Sequence, residues 1–448
     1  MTGTHRRMSL RKDLKLRSEM PGDSRRKMNQ TAERAAGTGS SVVIESCQVC
    51  GHSPLDPVLF LGYMPPVNQM RRIGEIPREQ PSYPTQLLLC PSCQLVQLGL
   101  SVDPAILFPP DYPYTSGTTR MLRENFAQLK QEADHIVGLG PSDLVIDIGS
   151  NDGTLLSNFL QGGHRVLGIE PTDVGETANE RGIETLRVFF RPEVGEQVRS
   201  SHGPAKVVTA ANVFAHMEDV HPIVDGIVTL LDEGGVFVSE SHYLISLLKT
   251  LQYDTIYHEH LRYYSLHSIK YLLEMHGLEV FFAREIPTHG GSIRVYAARR
   301  GLRAPHPSVA ELLAAEPVDG ALRQSLADFR KRVVLSKLSL HALLSSVKSV
   351  GDRIFGVSAP SRASTLVNYV GLDDGILDCV VEIKGSLKIG KYLPGTIVPV
   401  VEESYLFEEQ PEHALILSWH IAEEIAPKLR EKGFRGRFIV PLPEPRIL

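Results

Sequence analysis

VIDIGSNDGTLL, Val145 to Leu156, reads as a strand, a turn and the start of a helix. The apolar run carries into Asp147, the chain turns on Gly149 and Gly153, and Leu155 and Leu156 open an apolar helical face. Glycine here lets the backbone come close to a ligand. Twenty-one residues after Gly149 the next apolar run ends in Glu170 of GIEP, placed to accept both ribose hydroxyls of a nucleoside. The turn is G-x-N-x-G and not G-x-G-x-x-G. A pyrophosphate needs tight glycines at the helix N-terminus, whereas the acidic and amide groups here suit a ligand that carries positive charge.

Working outward, strand patterns recur at LVIDIG, RVLGIE, KVVTAA and GVFVSE with helical stretches between them, the order expected of a parallel sheet. EVFFAREI and SIRVYAAR, joined by PTHGG, fit an antiparallel hairpin at the end of that sheet, closing a seven-stranded domain near residue 300. A helix is expected over 119–137 and a long connecting helix from Ala321 to Val350, where Leu and Val recur at three- and four-residue spacing. A second, smaller α/β alternation follows: DRIFGVSA, a helix over 361–371, ILDCVVEI, TIVPVV, HALILSW, IAEEIAPKLREKG as a helix, and RFIVPLP.

Cys47 and Cys50 in CQVCG and Cys90 and Cys93 in CPSC form CxxC-x39-CxxC. Two close thiolate pairs on knuckle turns supply the tetrahedron that zinc prefers, and four protein ligands leave no open position, so the site is read as structural. The fifth, Cys379 in ILDCVV, is read as a small buried hydrophobe.

Composition narrows the class. The 448 residues carry 47 Lys and Arg against 52 Asp and Glu, with 42% apolar content, as in soluble globular proteins. Apolar runs are strand-length, far from the ~20 residues of a membrane span. CxxC pairs without a disulfide framework suggest a reducing, cytoplasmic compartment. Ten of the basic residues fall within residues 1–34, leaving 37 basic against 48 acidic residues in the remainder. Residues 1–41 are therefore expected as a basic disordered tail or the product of an upstream start, with Met8, Met20 and Met28 as alternative starts. An acidic body argues against nucleic-acid binding and so against a zinc-ribbon RNA-binding protein.

YDTIYHEHLRYYSLHSI, Tyr253 to Ile269, places Tyr257, His258, Glu259, His260, Tyr263 and Tyr264 within eight residues after the fifth strand. A Glu and two His at the C-terminal edge of a parallel sheet make a poor core and a good acid/base set. ANVFAH, Ala211 to His216, follows the fourth strand, at the crevice where substrate meets cofactor. In the second α/β unit, Ser361, Arg362, Ser364 and Thr365 open a helix whose amides can receive a phosphate, with Lys391 of GKYLPG in reach of the same anion.

The glycine turn together with the closing hairpin resembles the class I S-adenosylmethionine (SAM) methyltransferases. The ordered set of both cysteine pairs, YPYTSG, DIGSNDGTLL, ANVFAH, YHEHLRYYSL, THGGSIRVY, SAPSRASTLVNYVGL and LKIGKYLPGT resembles the nucleotide-sugar C-methyltransferases over nearly all of 45–448. That resemblance implies an α/β chain with a zinc-binding domain (42–118), a class I, Rossmann-like SAM methyltransferase domain (119–305), and linking helices with a C-terminal Rossmann-like domain that binds substrate (306–448). It implies SAM and one structural zinc, and a nucleotide-linked 4-keto-deoxysugar of an antibiotic pathway as substrate; with the charge and the short apolar runs above, no nucleic-acid or membrane partner is expected, and the oligomeric state is left open with a monomer favoured. Matched residue by residue, His260 falls on the catalytic base, Glu259 on its acid neighbour, and Tyr257, His216 and Tyr114 on active-site positions. From the turn and helix-opening readings above, Asp147, Gly149, Asn151, Gly153, Glu170, Asn212 and Ser116 are expected in the cofactor site, and Ser361, Arg362 and Lys391 in the substrate site. His258 has no role in the pattern and is expected to face outward. Where many sugar enzymes carry two serines this chain has Ser116 and Gly117, and EIKGSLKIG lacks an acidic-basic opening, which bears on the acceptor. The rival chemistry is SAM-dependent O- or N-methylation, which needs no enolising groups.

Overall fold

The strand Leu144–Ile148 is buried on both faces and pairs in parallel with Arg165–Ile169 on one side and Ala205–Ala211 on the other. That is the signature of a strand covered by helices above and below, and it explains the apolar run that only Asp147 interrupts. The computed structural model describes residues 41–108, 117 and 119–448. The expected tail, Tyr114 and Ser116 fall outside the described residues.

The full sheet has seven strands, in the order Leu278–Ile286, Ser292–Arg299, Leu231–His242, Ala205–Ala211, Leu144–Ile148, Arg165–Ile169, Thr185–Leu186. Ser292–Arg299 is antiparallel to both of its neighbours. The other six expected strands form; the seventh, Thr185–Leu186, is only two residues long and carries too little apolar pattern to be read from the sequence. Strand order reverses between Leu144–Ile148 and Ala205–Ala211, so the carboxyl ends of these two strands frame a crevice. Against this sheet lies the helix Arg120–Val137. It begins where Thr119 accepts from the Leu122 amide, stops at Gly138 in the left-handed conformation, and buries Leu122, Phe126, Leu129, Ala133 and Val137 at helical spacing.

The second α/β alternation builds a six-stranded sheet: Val400–Glu402, Cys379–Glu382, Ile354–Val357, His413–Ile416, Arg437–Val440 and the antiparallel edge Arg446–Ile447. Here the order reverses around Ile354–Val357, which places the turn before the helix Ser361–Val370 at a second crevice. Cys379 is buried in this core. The long helix Asp319–Ser349 buries Leu322, Leu326, Phe329, Val333, Leu340, Leu344 and Val347 against the same core.

Between the two α/β sheets stands a four-stranded antiparallel sheet, ordered Arg262–Tyr263, Val96–Leu98, Tyr83–Leu89, Asp56–Met64. Its first strand comes from the YHEHLRYY stretch, with Arg262 opposite Gln97 and Tyr263 opposite Val96. The loop after the fifth strand of the central sheet is thus hydrogen-bonded into the cysteine-bearing region. Leu59, Leu61, Leu87 and Leu98 of this sheet join the core of the C-terminal sheet, while Cys47, Cys90 and Cys93 pack with the core of the central one. Among the described residues no helix is long and apolar enough to cross a membrane.

Candidate active site and metal centre

The four sulfurs of Cys47, Cys50, Cys90 and Cys93 lie within 4.8 Å of one another, and the Cys47–Cys93 and Cys50–Cys90 sulfurs are both 3.4 Å apart. Amides of Val49 and Cys50 point at Cys47 Sγ, the knuckle arrangement that stabilises a thiolate. The turns that bring the pairs together use positive φ at Gly51 and Gln94. Cys90→Ser is expected to lower the melting temperature by about 5 °C or more and to lower bound zinc by metal analysis, because metal binding contributes directly to folding.

In the first crevice Gly149 donates its amide to the Ile169 carbonyl at φ 72°, and a Cβ there would lie 2.5 Å from Val213 Cγ1. Gly153, at φ 75°, is equally confined, by Ile183 and Ala178. Glu170 is buried and oriented: Oε1 accepts from the Thr172 amide (2.9 Å) and hydroxyl (2.6 Å), and Oε2 accepts from the Asn151 amide (3.1 Å). Asn151 takes positive φ to make that contact. Asp147 is buried and accepts from Thr209 Oγ1 at 2.6 Å; burial, with Glu170 and Glu240 nearby, pushes its carboxyl up to about 7 against that hydrogen bond. Asn212, also at positive φ, is held by its amide on the Glu240 carbonyl, and its buried Oδ1 has no protein partner among the described residues. A buried orphan acceptor beside two confined glycines and an oriented carboxylate fits an adenosyl ligand. Glu170→Ala is expected to weaken SAM binding by about 1.5–3 kcal/mol, tenfold or more in Kd by calorimetry.

The second part of the site lies where the central and C-terminal sheets face each other. His260 is buried, and its Nδ1 donates to the Thr255 carbonyl at 2.8 Å, so the neutral ring carries its lone pair on Nε2. Around it stand the rings of Tyr257 at 4.1 Å, His242 at 4.7 Å and His216 at 5.0 Å between centroids. His216 stacks on Phe108 from the cysteine-bearing region, and His289 stacks on His242. Burial holds His216 and His289 down to about 4, and His260, His242 and His420 well below the usual imidazole range, with mutual repulsion and Arg362 adding to it. The cluster is neutral at neutral pH.

His242, His289 and His420 were not singled out by sequence. His289 appears there only as turn chemistry in PTHGG, yet it holds φ 56°, a conformation uncommon for a side chain larger than glycine. His258 does not face outward: it is buried, donates from Nε2 to the Pro84 carbonyl at 3.3 Å, and lies 3.2 Å from Thr85 Oγ1. The expectation failed because the sheet strand that covers His258 comes from more than 170 residues earlier in the chain.

The residues expected at the substrate site, Ser361, Arg362 and Lys391, all lie in the C-terminal unit. Arg362 makes a buried two-point pair with Asp254, 2.8 Å at both oxygens, and reaches Gln252 and His420 Nδ1 as well. Trp419 Nε1 donates to the same Asp254 carboxylate at 2.7 Å. The guanidinium therefore ties the loop after the fifth strand to the C-terminal sheet, a structural contact the sequence reading did not foresee. Ser361 Oγ donates to Asn68 Oδ1 at 3.2 Å. Lys391 is half-buried, and Lys388, which sequence did not single out, donates from Nζ to the Ala359 carbonyl at 2.6 Å, two residues before Ser361. Burial lowers the Lys388 ammonium, with Glu382 and Glu259 opposing and Lys391 reinforcing.

Against known proteins, residues 47–108 match a zinc binding domain, 120–281 a methyltransferase domain, and 287–443 a C-methyltransferase C-terminal domain. The chain is 35% identical over 413 residues to C-methyltransferase NovU of Streptomyces niveus, covering 90% of this chain and 97% of that protein. It belongs to this C-methyltransferase family. Solved methyltransferases from Clostridium acetobutylicum and Anabaena variabilis align at 11% and 18% identity, over 40% of this chain and 92% and 86% of theirs, each with TM-score 0.32. The C-methyltransferase is SAM-dependent, has the class I methyltransferase fold, and carries a zinc-binding cluster of four cysteines.

Proposed function

We propose that the C-methyltransferase methylates a carbon alpha to a ketone, on a nucleotide-linked 4-keto-deoxysugar, through base-catalysed enolisation. The observation that carries this reading is the His260 tautomer. Its Nδ1 proton is committed to Thr255, so Nε2 is a base without any prior proton loss. A hydrogen alpha to a ketone is weakly acidic, and O- or N-methylation would need no such group. SAM supplies an electrophilic methyl on a sulfonium whose leaving group is a neutral thioether.

In this scheme His260 Nε2 takes the alpha proton as the carbon–hydrogen electron pair moves into the enolate. Neutral His216 can donate a ring N–H to the developing oxyanion without any charge change of its own. Glu259, buried beside His260 in sequence, balances the imidazolium as it forms. Tyr257 packs on the His260 ring and holds its plane; Tyr114 is a further hydroxyl in the proposed set. Methyl transfer then depends on alignment of the enolate carbon with the sulfonium. For the nucleotide part, the helix opening at Ser361 and the Lys388–Lys391 pair offer amides and ammonium groups to a phosphate. Arg362 contributes by fixing the helix.

The test is incubation with SAM and a panel of nucleotide-linked ketosugars, read by mass spectrometry, in parallel with solvent-deuterium exchange at the alpha carbon. Exchange of that hydrogen supports the reading; methyl transfer to an oxygen or nitrogen with no exchange overturns it.

A further inference from the structure

Asn68 lies in the loop PPVNQ that follows the strand Asp56–Met64, more than 190 residues before Glu259 in sequence. Its side chain is buried, Nδ2 donates to Glu259 Oε1 at 2.8 Å, and Oδ1 accepts from Ser361 Oγ at 3.2 Å. One amide therefore bridges the cysteine-bearing region, the acid–base loop and the first turn of the helix Ser361–Val370. Its loop is clamped by the KYLPGT stretch: Arg71 Nη2 donates to the Thr396 carbonyl, the Tyr392 amide to the Arg71 carbonyl at 2.7 Å, and the Ile73 amide to the Gly390 carbonyl at 2.9 Å. A Cβ on Gly395 would lie 2.9 Å from Pro65 Cγ, so the contact is also close.

We propose that Asn68 is a positioning residue for Glu259, so that the zinc-bearing region takes part in catalysis through this amide as well as folding around its metal. The assignment rests on the acid–base role given to Glu259 above. Physically, an N–H aimed at a carboxylate oxygen fixes its rotamer, while the Ser361 hydroxyl fixes the amide. A turned amide would set its oxygen against the carboxylate. Occupation of the Ser361 end by an anion competes for the same hydroxyl proton, so substrate binding is felt at Glu259.

Two measurements test this in the full-length, zinc-loaded enzyme. The first needs no turnover. Asn68→Asp at neutral pH sets carboxylate against carboxylate and should lower the melting temperature, and adding Glu259→Gln, which reverses the pair, should restore most of it. The second is kinetic: Asn68→Ala should lower kcat about tenfold with the Kd of SAM unchanged, and the ratio of Asn68→Asp to wild-type kcat should rise as pH falls, as one carboxyl of the pair protonates and donates. A melting-temperature loss not recovered in the double variant, or a ratio flat with pH, would overturn the proposal. If wild type exchanges no alpha hydrogen in any ketosugar while the melting cycle still shows recovery, the acid–base reading fails and Asn68 holds Glu259 for structure alone.

Discussion

Replacing His260 by alanine is expected to remove both methyl transfer and solvent exchange of the alpha hydrogen, each by ~10²-fold or more, with SAM binding nearly unchanged. The ring bonds to a backbone carbonyl and packs among Tyr257, His216 and His242, so the loss should be in kcat and not in cofactor affinity. Glu259→Gln should be intermediate, keeping shape and losing charge, and His216→Ala milder, since water can donate in its place. The order separates bases: a carboxylate base would make Glu259→Gln the dead enzyme.

The pH dependence has a definite sign. Burial depresses the His260 pKa, so the ring stays an unprotonated base to lower pH than a free imidazole. The acidic limb of kcat/KM should therefore lie well below pH 6.5, with rate lost as pH falls through it. Folding follows the same direction: the buried neutral histidines cost nothing above 6.5, and stability declines as pH falls below that value because the unfolded chain takes up protons first. A limb above 6.5 would assign proton abstraction to another group.

Asp254→Ala should destabilise the enzyme by about 3–5 kcal/mol, because it leaves the Arg362 guanidinium buried without its counter-ion. The two side chains are 0% and 6% exposed, and the carboxylate also accepts from Trp419, so water cannot take its place cheaply. Denaturant unfolding measures the effect, and an apolar replacement at both Asp254 and Arg362 should return much of the loss. Were Arg362 only a substrate-binding residue, its own replacement would leave stability intact and weaken only substrate; a loss below about 1 kcal/mol would support that alternative.

What could be read from sequence is what depends on near neighbours. Gly149 and Gly153 announce a turn because positive φ is a property of single residues, and LVIDIG announces a buried parallel strand because both its faces are apolar. Paired cysteines at knuckle spacing carry their geometry with them, and the long helix Asp319–Ser349 shows its buried stripe in its own periodicity. The two-residue strands Thr185–Leu186 and Arg262–Tyr263 could not be read, since so short a segment has no period and is defined by the partner it meets. The same holds for the side chains around His260. Arg362 reads only as part of a helix opening until Asp254 is placed against it, His258 looks exposed until Pro84 and Thr85 cover it, and Asn68 has no signal until Glu259 arrives. Each of these contacts joins residues more than 100 positions apart, so the sequence alone determined the longer elements of the two α/β units and the zinc and cofactor turns, while only the packing of three sheets against one another decided which polar groups are paired and which are left to do chemistry.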